Sequence, residues 1–519
     1  MANKEQFEAA IGSGYSFKGE SVKIGRAMID GAVTGADIML PLRTMNRHGL
    51  IAGATGTGKT KTLQLLSESL SDNSVPVLLL DIKGDLSGIA APGTTNPKIE
   101  ERAAVLGQSY QPQGFPVELL TLTDAPGVRL RATVSEFGPV LLSKILGLND
   151  TQGGIVAVIF KYCDDNGLPL LDLKDFIKVL QYISNEGKSE IEKMYGKIST
   201  TSTGTILRKV IELQQQGGDQ FFGEKSFEVE DLMRISNDGR GIISILRVTE
   251  LQDKPKLFST FMLQLLAELY ASSPEEGDVE KPKLVLFIDE AHLIFSEASP
   301  VLLQEIENIV KLIRSKGIGV FFCTQNPMDV PAPVLSQLGL KVQHALRAFT
   351  AADRKAIKQA AENYPETEYY DVDELLTQLG IGEAFVTMLN EKGIPTPLAH
   401  VMLSPPRSRM DILTDAEVQN LVMGSKLVSK YNTAVDNESA YEILNKKLET
   451  AAQRDMEIKE MQQQAKEEKA ATKAAPKEKS ILDNPIIRSA GRTAATMITR
   501  SLLGVLGLGG SSRRRKSLF

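Results

Sequence analysis

Apolar residues fall into two alternating patterns along this 519-residue chain. Short continuous runs at Leu50–Ala52, Val75–Leu80, Gly241–Leu246, Leu284–Ile288, Gly317–Cys323 and Val342–Leu346 read as strands buried on both faces. Between them, Lys61–Leu70, Leu257–Tyr270 and Leu302–Ile313 carry apolar residues at helical spacing, such as Leu63, Leu66 and Leu70. Strands of that kind alternating with helices predict an α/β fold with a parallel sheet covered on both faces. The interval Ser135–Asn237 breaks the rhythm. Patterns such as Gly153–Tyr162 and Leu173–Ser184 predict a helical insertion there. A β-prone stretch, Tyr15–Ile24, precedes the first buried run, and the strand signal stops at Ser404-Pro405-Pro406. Residues 438–475 are rich in Glu, Lys, Gln and Ala. Tyr441, Leu444, Leu448, Ala451 and Ile458 stand in partial heptad register, and Asp455 interrupts the seam. Thr472–Ser480 reads as a flexible linker. The expected divisions are an N-terminal segment (1–40), a core in two parts (41–134 and 241–405), a helical insertion (135–240), a helical extension with linker (406–480) and a tail (481–519).

Chemistry enters where the first buried run ends. Gly53-Ala54-Thr55-Gly56-Thr57-Gly58-Lys59-Thr60 is a complete G-x-x-x-x-G-K-[ST] phosphate-binding loop between a strand and a helix. Its glycines let backbone N–H groups converge on nucleotide phosphates, and the following helix N-terminus adds a favourable dipole. Lys59 is expected to reach the β- and γ-phosphates, and Thr60 to ligate Mg²⁺. ATP or GTP is the expected ligand.

A second motif is Leu284-Val285-Leu286-Phe287-Ile288-Asp289-Glu290. It puts two acids at the carboxyl end of a buried strand, the edge where parallel sheets bind ligands. Asp289 is expected to hold Mg²⁺ through water, and Glu290 to act as general base on the attacking water. An adjacent Asp-Glu pair favours an ATPase over a small-molecule kinase. The run Phe321-Phe322-Cys323-Thr324-Gln325-Asn326-Pro327 ends similarly, and Gln325 is expected beside the γ-phosphate as sensor. Asp81, opening Asp81-Ile82-Lys83-Gly84-Asp85, fits either a strand-to-loop cap or a place in the Mg²⁺- or DNA-facing network.

Together these elements resemble the HerA/FtsK branch of RecA-like P-loop ATPases, and the bacterial HerA-like proteins of the YjgR type most closely. The resemblance is carried by Arg47–Leu50, Leu80–Gly84, Phe287–His292, Arg314–Gly319, Thr324–Pro327 and Gln343–Thr350, and spans about residues 20–405. It implies a RecA-like core and a homo-oligomeric, usually hexameric ring ATPase whose broader kin translocate double-stranded DNA. It further suggests Arg314 or Arg347 as an arginine finger reaching a neighbouring subunit. The bland alternatives are a solvated helix residue for Arg314 and a strand-end salt bridge for Arg347. HerA proper carries a substantial N-terminal β-barrel for partner docking, and only some forty residues precede Pro41 here, so a nuclease partner of that kind is not expected.

Composition narrows the rest. Met1–Gly12 is polar, without the apolar core of a signal peptide, and the longest apolar run near the end, Leu502–Leu508, is too short for a membrane span. Cys163 and Cys323 are the only cysteines, which points to the cytoplasm, and His48, His292, His344 and His400 form no ligand pair. The formal charge of −6 gives no overall nucleic-acid footprint. Residues 481–519 differ: Arg488, Arg492, Arg500, Arg513, Arg514, Arg515 and Lys516 face Asp483 alone. Apolar residues recur there at helical spacing from Ile486 to Val505. Three readings stay open: a docking or oligomerisation helix, a peripheral helix on an anionic membrane, or a grip on DNA. An ATPase driving a protein or membrane-associated complex, or a nucleotide-gated scaffold, are the alternatives to DNA translocation. Deleting residues 481–519 should leave nucleotide affinity unchanged while altering assembly or surface attachment, measured by nucleotide titration and sedimentation. Loss of nucleotide binding would mean that the tail packs into the core.

Overall fold

The computed structural model describes residues 4–474, apart from 252–253, 278, 298–299, 349 and 434. Twelve strands form one sheet: β1 (Ser21–Ile29), β2 (Ala32–Pro41), β3 (Gly49–Ala52), β4 (Val77–Asp81), β5 (Val117–Thr121), β6 (Val128–Arg129), β7 (Ile243–Arg247), β8 (Leu284–Ile288), β9 (Ile318–Thr324), β10 (Leu340–Gln343), β11 (Glu383–Met388) and β12 (Ala399–Leu403). Their spatial order is β2-β1-β12-β11-β10-β3-β9-β8-β4-β7-β5-β6. The eight strands from β10 to β6 are parallel, whereas β11, β12, β1 and β2 run antiparallel to their neighbours. The sheet is therefore mixed and mostly parallel.

The buried runs fold as strands because nothing in them can face water. Every residue of β3, β4, β8 and β9 is buried. Leu63, Leu66 and Leu70 of the helix Lys59–Asp72 share one core with Ile51, Phe287 and Phe321, as their spacing predicts. The rings of Phe287 and Phe321 lie 5.0 Å apart across β8 and β9. The helical interval holds the helices Val134–Ile145, Asp150–Asn166, Leu173–Ser184, Lys188–Met194 and Thr200–Gln215 before β7.

Several boundaries differ from the sequence reading. The N-terminal stretch forms a helix, Lys4–Gly14, and then two strands inside the main sheet. Gly25 is required there, because a Cβ would fall 2.2 Å from the Met402 carbonyl oxygen of β12. The run read as Val342–Leu346 is the strand Leu340–Gln343, since the Ala345 carbonyl leaves the ladder to accept the Ala54 N–H at 2.8 Å. Thr472 lies in the helix Ala440–Ala474, not in a linker. Residues 475–519, with the expected amphipathic tail, lie outside the described residues. Residues up to Asn445 form one compact unit, and residues 446–474 are described as helix within a second. Among the described residues, no helix is long and apolar enough to cross a membrane.

The far face of the nucleotide-loop helix is covered too. Glu68, 1% exposed, accepts from the Arg407 N–H at 2.8 Å, the Ser408 N–H at 3.0 Å and the Ser408 hydroxyl at 2.5 Å. Gln64 donates to Ser408 Oγ and to the Arg409 carbonyl. The segment after Pro406 thus runs back over the core as a strap. Glu68→Ala strands two backbone donors and should cost roughly 2–5 kcal/mol of stability in denaturant unfolding. A change within experimental error would show that the strap contributes little to the fold.

Candidate functional site

Strand register sets the site. Ala52 of β3 pairs with Thr324 of β9, and Ile288 of β8 pairs with Phe322 of β9. Gly53, Gln325 and Asp289 therefore emerge side by side at the carboxyl ends of three adjacent parallel strands. The Gly53 N–H donates to the Thr324 carbonyl at 3.2 Å, and the Ala291 N–H to the Cys323 carbonyl at 2.9 Å. All three sequence motifs meet at one edge.

The loop Gly53–Thr60 closes on itself through left-handed glycines at 53, 56 and 58, with φ of 153°, 79° and 114°. The Thr57 hydroxyl donates to the Ala54 carbonyl at 2.7 Å. Gly58 caps the helix Lys59–Asp72 without any side-chain hydrogen bond, so the first helical N–H groups keep their capacity for an anion. Lys59 is 6% exposed and donates to the Gly53 carbonyl at 2.6 Å and the Ala54 carbonyl at 3.2 Å. Burial pulls its ammonium below the ordinary lysine range, with the charge of Lys83 adding to the fall and the acids Glu290 and Asp289 opposing it. Thr55 and Gly56 are exposed, and Thr60 is half-buried.

Beneath the loop lies a floor that sequence reasoning missed. His344 Nε2 meets Thr62 Oγ1 at 2.8 Å, and its Nδ1 meets the Glu383 carbonyl oxygen at 2.9 Å. Burial pushes this imidazole down to about 4, so it stays neutral. The Gly382 N–H donates to the Thr57 carbonyl, and Arg102 donates to the carbonyls of Ile381, Gly382 and Leu403. A cleft of about 170 Å³ opens beside Gly58, Lys61 and Thr62, walled by Ile99, Ile381 and Pro405. The signal was present as apolar runs at 383–388 and 399–403, bounded by turn residues.

Asp289 is 3% exposed, and its Oδ2 is buried without a hydrogen-bond partner. Burial pushes its carboxyl up to about 7, with Glu290 adding to the rise and Lys83 opposing it. A buried acid with one unpartnered oxygen suits a cation. Glu290, 5% exposed, adopts φ of 47°, a left-handed conformation costing about 1–3 kcal/mol in a non-glycine residue. Its Oε1 forms an ion pair with Lys83 Nζ, and His292 Nδ1 lies 3.2 Å from its Oε2. Lys83 was not singled out from the sequence, where a lone lysine in a loop carries no signal.

Gln325 is exposed, at the end of β9 between the phosphate loop and the acids. The turn behind it is held by Asp329, which accepts from the Thr324 hydroxyl at 2.6 Å and the Asn326 N–H at 3.2 Å. Asp81 resolves as the loop cap: it accepts from the N–H groups of Gly84, Asp85 and Leu86. Arg314 and Arg347 are both exposed, at opposite ends of the sheet. Arg314 precedes the amino end of β9, and Arg347 lies four residues beyond the carboxyl end of β10 rather than ending the strand.

The family model for the helicase HerA-like C-terminal region matches residues 27–515. The chain belongs to the HerA-like family. Curated relatives include the DNA double-strand break repair helicase HerA of Sulfolobus acidocaldarius, 21% identical over 392 residues, covering 74% of this chain and 69% of that protein. The namesake from Sulfurisphaera tokodaii is 23% identical over 364 residues, covering 69% and 66%. The chain thus spans about two thirds of the length of these relatives. Among solved structures, the plasmid coupling protein TrwB in complex with the ATP analogue ADPNP shares the fold, with a TM-score of 0.50 at 14% identity, covering 77% of this chain and 99% of that one. This HerA-like chain has the RecA-like fold of P-loop ATPases. In it, Gly58→Ala would force a side chain into φ of 114° with its Cβ 3.2 Å from the Gly382 nitrogen. Nucleotide affinity should fall about tenfold or more while far-UV circular dichroism stays unchanged. Unaltered affinity would show that the loop does not bind phosphate in this conformation.

Proposed function

We propose that this edge hydrolyses ATP with Mg²⁺ and that, in a homomeric ring, the reaction drives movement along double-stranded DNA. The observation that carries the reading is the meeting of Gly53–Thr60, Gln325 and Asp289-Glu290 on three neighbouring strands. The triphosphate lies along the loop N–H groups, and its nucleoside enters the cleft beside Ile99 and Pro405. Lys59 gives up the Gly53 and Ala54 carbonyls for the β- and γ-phosphates. Thr60 and Asp289 would hold the metal. Among the described residues no cluster of three or more His, Cys, Asp or Glu side chains could hold one alone, which fits an ion completed by phosphate oxygens and water. A Mg²⁺ ion there would supply charge that neutralises the phosphates.

Glu290 accepts a proton from water as the water oxygen attacks the γ-phosphorus, and the bond to the leaving ADP oxygen breaks in line. Gln325 orients that water. Arg314 or Arg347 supplies transition-state charge from a neighbouring subunit, worth roughly 10³–10⁵ in rate. The ring and the DNA track rest on membership of the HerA-like family and on the name of its double-strand break repair helicases. We further infer that residues 135–240 are an insertion on the two-part core and that residues 406–480 are a helical extension with its linker.

Turnover should rise with duplex DNA and lose that stimulation as salt increases. Glu290→Gln should keep ATP binding and lower hydrolysis about 100-fold or more, and Lys59→Ala should abolish nucleotide-dependent turnover. Near-normal turnover by Glu290→Gln would remove it as the base. Turnover indifferent to DNA but raised by liposomes would favour a protein or membrane-associated complex.

A further inference from the structure

Lys83 is a cation at this edge that the phosphate-loop reading leaves without a task. It sits on the loop after β4, next to β8 in the sheet. That loop is held by Asp81, fully buried, whose carboxylate accepts from Gly84 at 2.7 Å, Asp85 at 3.2 Å and Leu86 at 3.1 Å. A backbone fixed so tightly gives Lys83 a defined origin and only its own side chain to move. Its ammonium pairs with Glu290 Oε1, and its charge is felt at Asp289 and Lys59. Burial alone would pull Lys83 down, yet the contact with Glu290 and the charge of Asp289 hold it above the ordinary lysine range. Its side chain is 38% exposed, against 6% for that of Glu290, so the lysine can swing and the carboxylate cannot.

Two consequences follow from charge. Paired to Lys83, Glu290 has one oxygen committed to the ammonium and out of reach of an attacking water. A γ-phosphoryl group, with about two negative charges, competes for the same ammonium more strongly than a single carboxylate does. ADP has no γ-phosphate with which to compete.

We propose that Lys83 is a positioning residue that holds Glu290 until a γ-phosphate takes it away, so the base is freed only when a triphosphate is bound. This rests on Glu290 acting as the base of the proposed ATPase. Glu290 and the γ-phosphate then compete for one cation, and the competition shows in affinity without any turnover.

The test is a double-mutant cycle on equilibrium binding of ADPNP and of ADP, each with Mg²⁺, to the full chain. Glu290→Gln removes the competitor, so ADPNP should bind about fivefold tighter with ADP within about twofold. Lys83→Ala should weaken ADPNP about tenfold and again leave ADP within about twofold, which also reports that the variant is folded. In the double variant the gain from Glu290→Gln should vanish, and Lys83→Arg should restore most ADPNP affinity. A gain that persists without Lys83, no gain in its presence, or equal weakening of ADP and ADPNP by Lys83→Ala would overturn the proposal. The base assignment is judged separately by hydrolysis: a Glu290→Gln chain that still turns over ATP contradicts that assignment, whatever the cycle gives.

Discussion

Charge held out of water at one edge of the sheet is the constraint on which the rest of the structure depends. Lys59, Asp289 and Glu290 are each no more than 6% exposed, and only Lys83 among the four charged side chains there reaches solvent. Removing one partner from such a group leaves an uncompensated buried charge, which is far costlier than losing a surface ion pair. The surrounding fold keeps them in place. Strands β3, β8 and β9 are buried throughout, so their register cannot slip without exposing core residues such as Phe287 and Phe321. Two lysines face Asp289 and Glu290 at this edge before any nucleotide arrives, and their ammonium groups can exchange partners when phosphate does.

The phosphate loop does not stand alone on its strand. His344 and Gly382 lie under it, the strap at 407–410 lies over its helix, and Arg102 ties Gly382 to the end of β12 through the carbonyls of Gly382 and Leu403. The antiparallel strands β11 and β12 therefore do more than widen the sheet. They bring the chain back beneath Gly53–Thr60 and shape the cleft beside it. A loop braced on three sides can present its N–H groups with little reorganisation, the condition under which oriented dipoles act most strongly on phosphate.

What could be read from the sequence follows a physical divide. Strands buried on both faces must be continuous apolar runs, so β4, β7, β8 and β9 were legible, and the residues that follow β3, β8 and β9 were legible as an edge. Glycines and a lysine at fixed spacing announced the loop. Lys83 was not legible, because its meaning comes from Glu290, more than two hundred residues away. The strap over Glu68 and the imidazole floor were hidden for the same reason. The end of β10 was misplaced because Ala345 bonds the loop instead of the ladder, and periodicity does not register such an exchange. Arg314 and Arg347 are exposed at opposite ends of the sheet, and their placement in one chain does not choose between them, since a finger acts across a subunit boundary.

A structure of the chain with ADPNP and Mg²⁺ tests the central claim most directly. The account predicts phosphates within hydrogen-bond distance of Lys59 and the N–H groups of residues 54–60, the metal between Thr60 and Asp289, and Glu290 parted from Lys83 with a water before it. A nucleotide seated elsewhere, or an intact Lys83–Glu290 pair beside a bound γ-phosphate, would contradict it.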